Sequence, residues 1–262
     1  MFQGKYGLIL GSSSGFGLAT AKALAARGMN IFGVHFDRRA AMKQIEQDIE
    51  EMKANGVEVQ YFNFNAADEE KRKSTVHEIK AIVGEGNILQ VVMHSLAFGS
   101  LRDYFAGSEE DELTPKQMDM TIDVMANSLV YWVQDLRRQG LIGRGSRIFG
   151  MTSAGGHRVW PYYGAVSAAK ASLESHIRQI ALELAPHGVR ANAICAGVTD
   201  TPALRKIPGN ENLVQGAIER NPSKRLTTPE DIANVIALLA QPEADWLTGN
   251  VLNVDGGEDI VG

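Results

Sequence analysis

A glycine-rich turn between an apolar run and a helix-forming segment constrains this chain more than any other feature. Leu8-Ile9-Leu10 leads into Gly11-Ser12-Ser13-Ser14-Gly15-Phe16-Gly17, and an alanine- and leucine-rich segment follows. Strand, Gly-x-x-x-Gly-x-Gly turn and helix come in the order that presents free backbone N–H groups and a positive helix end to a phosphate. Gly11 permits the tight turn. Gly15 lets the backbone approach a pyrophosphate, and Gly17 lets the helix pack close to the strand. Ser12, Ser13 and Ser14 add hydroxyl donors. The turn therefore predicts a dinucleotide site that includes Gly11, Ser13, Ser14, Gly15, Phe16 and Gly17.

The remainder of the chain repeats the same alternation. Short apolar runs predict strands at 7–10, 30–36, 57–63, 88–94, 145–151, 188–194 and 250–253. Longer periodic segments predict helices at 16–27, 39–55, 68–83, 115–140, 162–186 and 229–240. Repeated βα units of this kind imply right-handed crossovers and a parallel sheet covered on both faces. The expected architecture is α/β, a Rossmann-type doubly wound sheet of seven parallel strands, in a single domain over residues 1–262. Thr228-Pro229-Glu230-Asp231 reads as a helix start, with an N-cap, a proline at the first position and acids near the positive end. Two stretches break the rhythm, 96–115 and 198–227. Both leave strand C-terminal ends, where open parallel sheets bind ligands, so both are expected to cover a substrate.

Composition excludes several classes. The net charge is −5 and the chain carries no basic face, so nucleic acid is not an expected partner. The lone cysteine, Cys195, rules out an internal disulfide and reads as a small buried hydrophobe. There are no paired cysteines or clustered histidines, so no metal is expected. No apolar run approaches the roughly 18 residues that span a bilayer. No signal-peptide pattern opens the chain, and the expected location is the cytoplasm.

The second informative segment runs from Met151 to Lys170. Tyr163 and Lys170 are seven residues apart, about two helical turns, which places them on one helix face. The glycine spacing resembles that of the short-chain dehydrogenase/reductase superfamily, over essentially the whole chain. Asn253-Val254-Asp255-Gly256-Gly257 is similar to that superfamily's closing strand and turn. Most members carry Tyr-x-x-x-Lys, with a serine thirteen residues before the tyrosine. Anchoring on Lys170 puts Val166 at that tyrosine position and Ser153 at the serine, which leaves Tyr163 one turn early. Tyr-x₆-Lys spacing, together with His94-Ser95-Leu96-Ala97-Phe98, resembles the enoyl-acyl-carrier-protein reductases. Residues 207–226 resemble the Bacillus-type NADPH-dependent enoyl reductase in particular.

The resemblance implies reduction of an enoyl thioester by NAD(P)H. Hydride would go to C3, and negative charge would develop on the thioester oxygen. A tyrosine moved by one turn would then stabilise the enolate. It implies Tyr163 and Lys170 as catalytic groups, with Lys170 on the ribose hydroxyls. Ser95, Leu96 and Ala97 would lie along the cofactor, Asn65 and Ala66 beside adenine, and Gly197, Val198 and Thr201 beside the nicotinamide. Val198 backbone and Thr201 would hold the carboxamide. At the end of the second strand, Asp37 suits the ribose of NADH, whereas Arg38 and Arg39 suit the 2′-phosphate of NADPH. NADPH is the favoured expectation, with NADH possible. His94 reads as a packed strand histidine. Acyl carrier protein would need basic residues such as Arg102, Arg205, Lys206 or Arg225. The resemblance also implies a homotetramer. Ser153 and Asn127 keep two alternatives in view: a ketone or alcohol oxidoreductase that uses them, and a dinucleotide-binding regulator without catalysis.

Overall fold

A computed structural model describes residues 1–261. Seven parallel strands form one sheet in the order β3-β2-β1-β4-β5-β6-β7. They are β1 Tyr6–Leu10, β2 Asn30–His35, β3 Val59–Asn63, β4 Leu89–His94, β5 Arg147–Ser153, β6 Arg190–Ala196 and β7 Val251–Val254. All seven expected strands are present, which makes the fold Rossmann-type. The direction of winding reverses at β1, whose neighbours are β2 and β4. A crevice opens there at the strand C-terminal ends.

Pleating sends alternate strand residues into two separate cores. Leu8 and Leu10 join Val92 and Ile148 on one face, while Ile9 joins Met93 and Phe149 on the other. The first face is covered by α3 (Glu69–Val83), α5 (Ser128–Arg138) and α6 (Gly164–Leu184), through Ile79, Trp132 and Ile177 among others. The second is covered by α1 (Gly15–Ala25), α2 (Arg39–Lys53) and α8 (Pro229–Leu239), through Leu24, Met52 and Ile236. The start of α8 is a capping box, in which the Thr228 side chain accepts from Asp231 N–H and the Asp231 side chain accepts from Thr228 N–H.

Three elements differ from the sequence expectation. The helix expected at 115–140 is interrupted: α4 (Pro115–Ile122) passes through a π-helical segment, Asp123–Asn127, into α5. The helix expected from 162 begins at Gly164, because Tyr162 adopts a left-handed turn at φ 63°. The 198–227 loop contains a helix, α7 (Asn210–Arg220), that the sequence reading missed. Among the described residues, no helix is long and apolar enough to cross a membrane.

The glycine turn fixes how α1 meets β1. A Cβ on Gly17 would overlap the Gly11 carbonyl oxygen. Gly11 itself has φ +89°, and a Cβ there would overlap Ser95 O at the end of β4. Gly17→Ala must push α1 off the strand, so it is expected to cost about 1–3 kcal/mol of stability. Thermal or denaturant unfolding checks this, and an unchanged midpoint would contradict it.

Candidate active site

The crevice is the mouth of a cavity of about 410 Å³, within the range of small-molecule sites. Its walls come from the ends of β1, β2, β4, β5 and β6 and from the two irregular loops. Gly11, Ser13, Ser14, Gly15 and Phe16 line it, as do Asp37, Ala66, Ser95, Leu96 and Ala97. Ser153, Tyr163, Lys170, Gly197, Val198 and Thr201 complete the set brought together from the sequence. The fit to a dinucleotide rests on α1. Ser14, its N-cap, makes no side-chain cap and no acid occupies its first turn, so the leading N–H groups stay available to an anion. Among the described residues, no group of His, Cys, Asp and Glu could hold a metal.

Five expected residues stand apart from the lining. Gly17 packs on Gly11 and shapes the turn from behind. Arg38 and Arg39 are exposed at the start of α2. Asn65 accepts from Ala67 N–H and so shapes the turn into α3. Asn127, at the end of the π segment, is engaged by His176 of α6 at 3.0 Å. Asn127 is not among the residues that line the cavity.

Tyr163 is the N-cap residue of α6 and not an interior helix residue. The two-turn geometry is thus corrected, although Tyr163 and Lys170 still face one cavity. The ring lies against Gly155, where any Cβ would overlap it, and meets Trp160 edge-on at 6.5 Å. Burial pushes the phenol pKa above its ordinary value, so Tyr163 is an O–H donor at neutral pH. The nearby Ser153 hydroxyl pulls the other way, but makes no hydrogen bond of good geometry. Val166 packs with Met125 and Ala169, so an apolar side chain fills the position at which the resemblance anchored on Lys170 would put a tyrosine.

Lys170 is buried and donates from Nζ to Met151 O at 2.7 Å. Burial pushes its pKa down to about 8, against the opposing pull of Cys195 and Glu174. His94 is fully enclosed. Ser128 O–H donates to Val124 O at 2.8 Å, so His94 donates from Nε2 to Ser128 Oγ at 2.8 Å. Burial, then the Lys170 charge, push His94 down to about 3, so it is a neutral packed histidine. Burial pushes the Cys195 thiol up to about 12, which leaves it unreactive in the cavity wall.

Several lining residues were not found from the sequence. Phe36, 69% exposed, stands beside Asp37. Arg158, Arg220, Glu258 and Asp259 form a polar wall. The acids directly after Gly256-Gly257 were the available signal. Val198 N–H, expected to hold a carboxamide, donates instead to Glu258 Oε2 at 3.0 Å. From the two irregular loops Phe98, Leu101, Ile207 and Leu213 line the cavity, whereas Phe105 is 91% exposed and lies outside the lining. Of the basic residues considered for carrier docking, Arg205 is paired with Asp200 and Arg225 with Asp231. Arg102 donates to Glu110 O.

The depressed Lys170 pKa makes a stability prediction. Between about pH 8 and the ordinary 10.5 the unfolded chain binds more protons than the folded one, so stability rises with pH across that window. Below it, the buried ammonium costs at most on the order of 3 kcal/mol. Lys170→Met should therefore be most stabilising relative to the parent below pH 8, with the advantage shrinking toward pH 10.5. Paired denaturant titrations test this, and a pH-independent difference would contradict it.

A family model described as enoyl-(acyl carrier protein) reductase matches residues 11–258. The chain is 29% identical over 257 residues to the 1-cyclohexenylcarbonyl-CoA reductase of Streptomyces collinus, covering 97% of this chain and 86% of that protein. It is 30% identical over 260 residues to the 3-oxoacyl-[acyl-carrier-protein] reductase of Escherichia coli (strain K12), covering 99% of each. The solved enoyl-[acyl-carrier-protein] reductase (NADH) from Aquifex aeolicus VF5 superimposes with a TM-score of 0.85 at 26% identity, over 100% of this chain and 98% of that one. These relatives include both an enoyl and a 3-oxoacyl reductase, so they indicate an oxidoreductase without selecting the bond reduced. The chain belongs to the enoyl-(acyl carrier protein) reductase family of the short-chain dehydrogenases/reductases.

Proposed function

We propose that this protein reduces the C2=C3 double bond of an enoyl thioester. One observation carries the reading: the protonated phenol in the cavity is Tyr163, while the usual tyrosine position is apolar Val166, packed with Met125. A phenol set one turn early suits charge that develops two carbons from the carbon receiving hydride. A nicotinamide dinucleotide, held at the α1 N-terminus, would supply that hydride. Tyr163 O–H would donate to the thioester oxygen as enolate charge develops there, and a proton from solvent, added at C2 as the enolate collapses, would complete the reduction. Lys170 would bind ribose hydroxyls. The α1 N-terminus with Ser13 and Ser14 holds the pyrophosphate. Phe98, Leu101 and Ile207 exclude water from the acyl chain.

A ketone-reducing reading draws on Ser153, whose Oγ is buried without a partner near Tyr163. Asn127 weakens it, because its amide is turned to His176. Loss of nicotinamide absorbance with crotonyl-CoA and not with acetoacetyl-CoA is the expected result. Turnover of acetoacetyl-CoA alone would overturn the enoyl reading. Tyr163→Phe should lower kcat by about 10²–10³-fold. It should also leave dinucleotide binding intact, and unchanged turnover in this variant would refute the role given to the phenol.

For the dinucleotide we propose NADH, the reverse of the preference drawn from Arg38 and Arg39. Asp37 lines the cavity and both arginines do not. His35 Nδ1 lies 3.0 Å from Asp37 Oδ2 and orients the carboxylate, while Asp37 N–H donates to Asn63 Oδ1 at 3.0 Å and holds the backbone. It can accept from ribose hydroxyls and repels a 2′-phosphate. Asp37→Ser is expected to shift the NADH to NADPH ratio of kcat/KM toward NADPH by about tenfold or more. A parent enzyme that already prefers NADPH would refute this assignment.

A further inference from the structure

We propose that Glu258 is a positioning residue for the cofactor end of the cleft. It sets the conformation of the Gly197–Thr201 loop through the Val198 N–H. This rests on the dinucleotide site alone and not on the nature of the acyl substrate.

Glu258 is only 6% exposed. A buried carboxylate is costly unless its oxygens are satisfied. Both are engaged, and by the same long loop. Oε2 accepts from Val198 N–H at 3.0 Å, where the loop leaves β6. Oε1 lies 3.4 Å from Arg220 Nη2, on the last residue of α7. One side chain thus joins the start of the substrate loop to the end of its helix.

The turn that carries Glu258 is itself held in shape. Asp255 accepts from Gly257 N–H and from Asp259 N–H, each at 2.9 Å. Asn221, directly after α7, donates from its side chain to Asp255 O at 2.9 Å. The next acid repeats the device toward β5: Asp259 meets Arg158 at 2.7 Å and His157 at 2.8 Å. The C-terminal turn therefore clips the β5 loop, the β6 loop and α7 together around the cavity. The fit against the β6 loop is tight, since a Cβ on Gly197 would overlap Thr227 Oγ1 and lie 3.0 Å from Glu258 Oε2.

Gly197, Val198, Thr199 and Thr201 all line the cavity, so a loop released from Glu258 shifts four lining residues at once. The alternative is a competitor, in which the carboxylate occupies an N–H that the dinucleotide needs. The two differ in sign. A positioning carboxylate strengthens dinucleotide binding, and a competing one weakens it.

The test is direct titration of the full-length protein with NADH by nicotinamide fluorescence, without acyl substrate. Glu258→Ala is expected to raise Kd about tenfold, the scale of one charge-assisted hydrogen bond. Glu258→Gln keeps an amide oxygen for Val198 N–H, and its Kd should stay within about threefold of the parent. Melting curves on the same samples check folding. If Glu258→Ala is too unstable to titrate, Glu258→Met, of similar volume, carries the same expectation. Unchanged or tighter binding in the Ala or Met variant would overturn the proposal, and so would a Gln variant as weak as Ala. A failed crotonyl-CoA assay would leave this result untouched.

Discussion

The contact of Gly17 against the Gly11 carbonyl is the constraint on which the site depends. It draws α1 onto β1 until the helix N-terminus faces the crevice between β1 and β4. Gly11 does the same sideways, where only a hydrogen fits against Ser95 O. Three chain segments therefore converge at the point where the sheet reverses direction. The cavity follows from that convergence, because the loops leaving β4, β5 and β6 have nowhere to go except around its rim.

Burial then decides the chemistry inside. It moves Tyr163 up and Lys170 down, and so moves both groups toward their neutral forms. Tyr163 keeps its proton and can donate it in a hydrogen bond. Lys170 stands near the pH of ordinary solution, where a small change in surroundings alters its charge. The same burial silences two other candidates, His94 and Cys195, by holding one deprotonated and the other protonated. A low-dielectric pocket thus separates the groups that can act from those that only pack.

Much of the fold was legible because a parallel sheet buried on both faces demands continuous apolar strands. All seven strands and the covering helices followed from that demand. The missed helix, α7, carries Leu213, Val214, Ala217 and Ile218 at helical spacing, but it is short and lies in a stretch punctuated by Pro202, Pro208, Gly209, Gly216 and Pro222, which reads as an irregular loop. The break before Gly164 was hidden for another reason. Tyr162 takes a left-handed conformation that glycine usually supplies, and its residue type gives no sign of it.

The sequence by itself determined the sheet, the glycine turn, and the pairing of Tyr163 with Lys170 in one cavity. Each is encoded by residues close together in the chain, as a period or a spacing. The tertiary structure alone decided which polar groups remain free to act. Asn127 is engaged by a residue 49 positions away, and Val198 by one 60 positions away. A hydrogen bond across such a distance depends on where the whole sheet places two loops, and no local pattern records it.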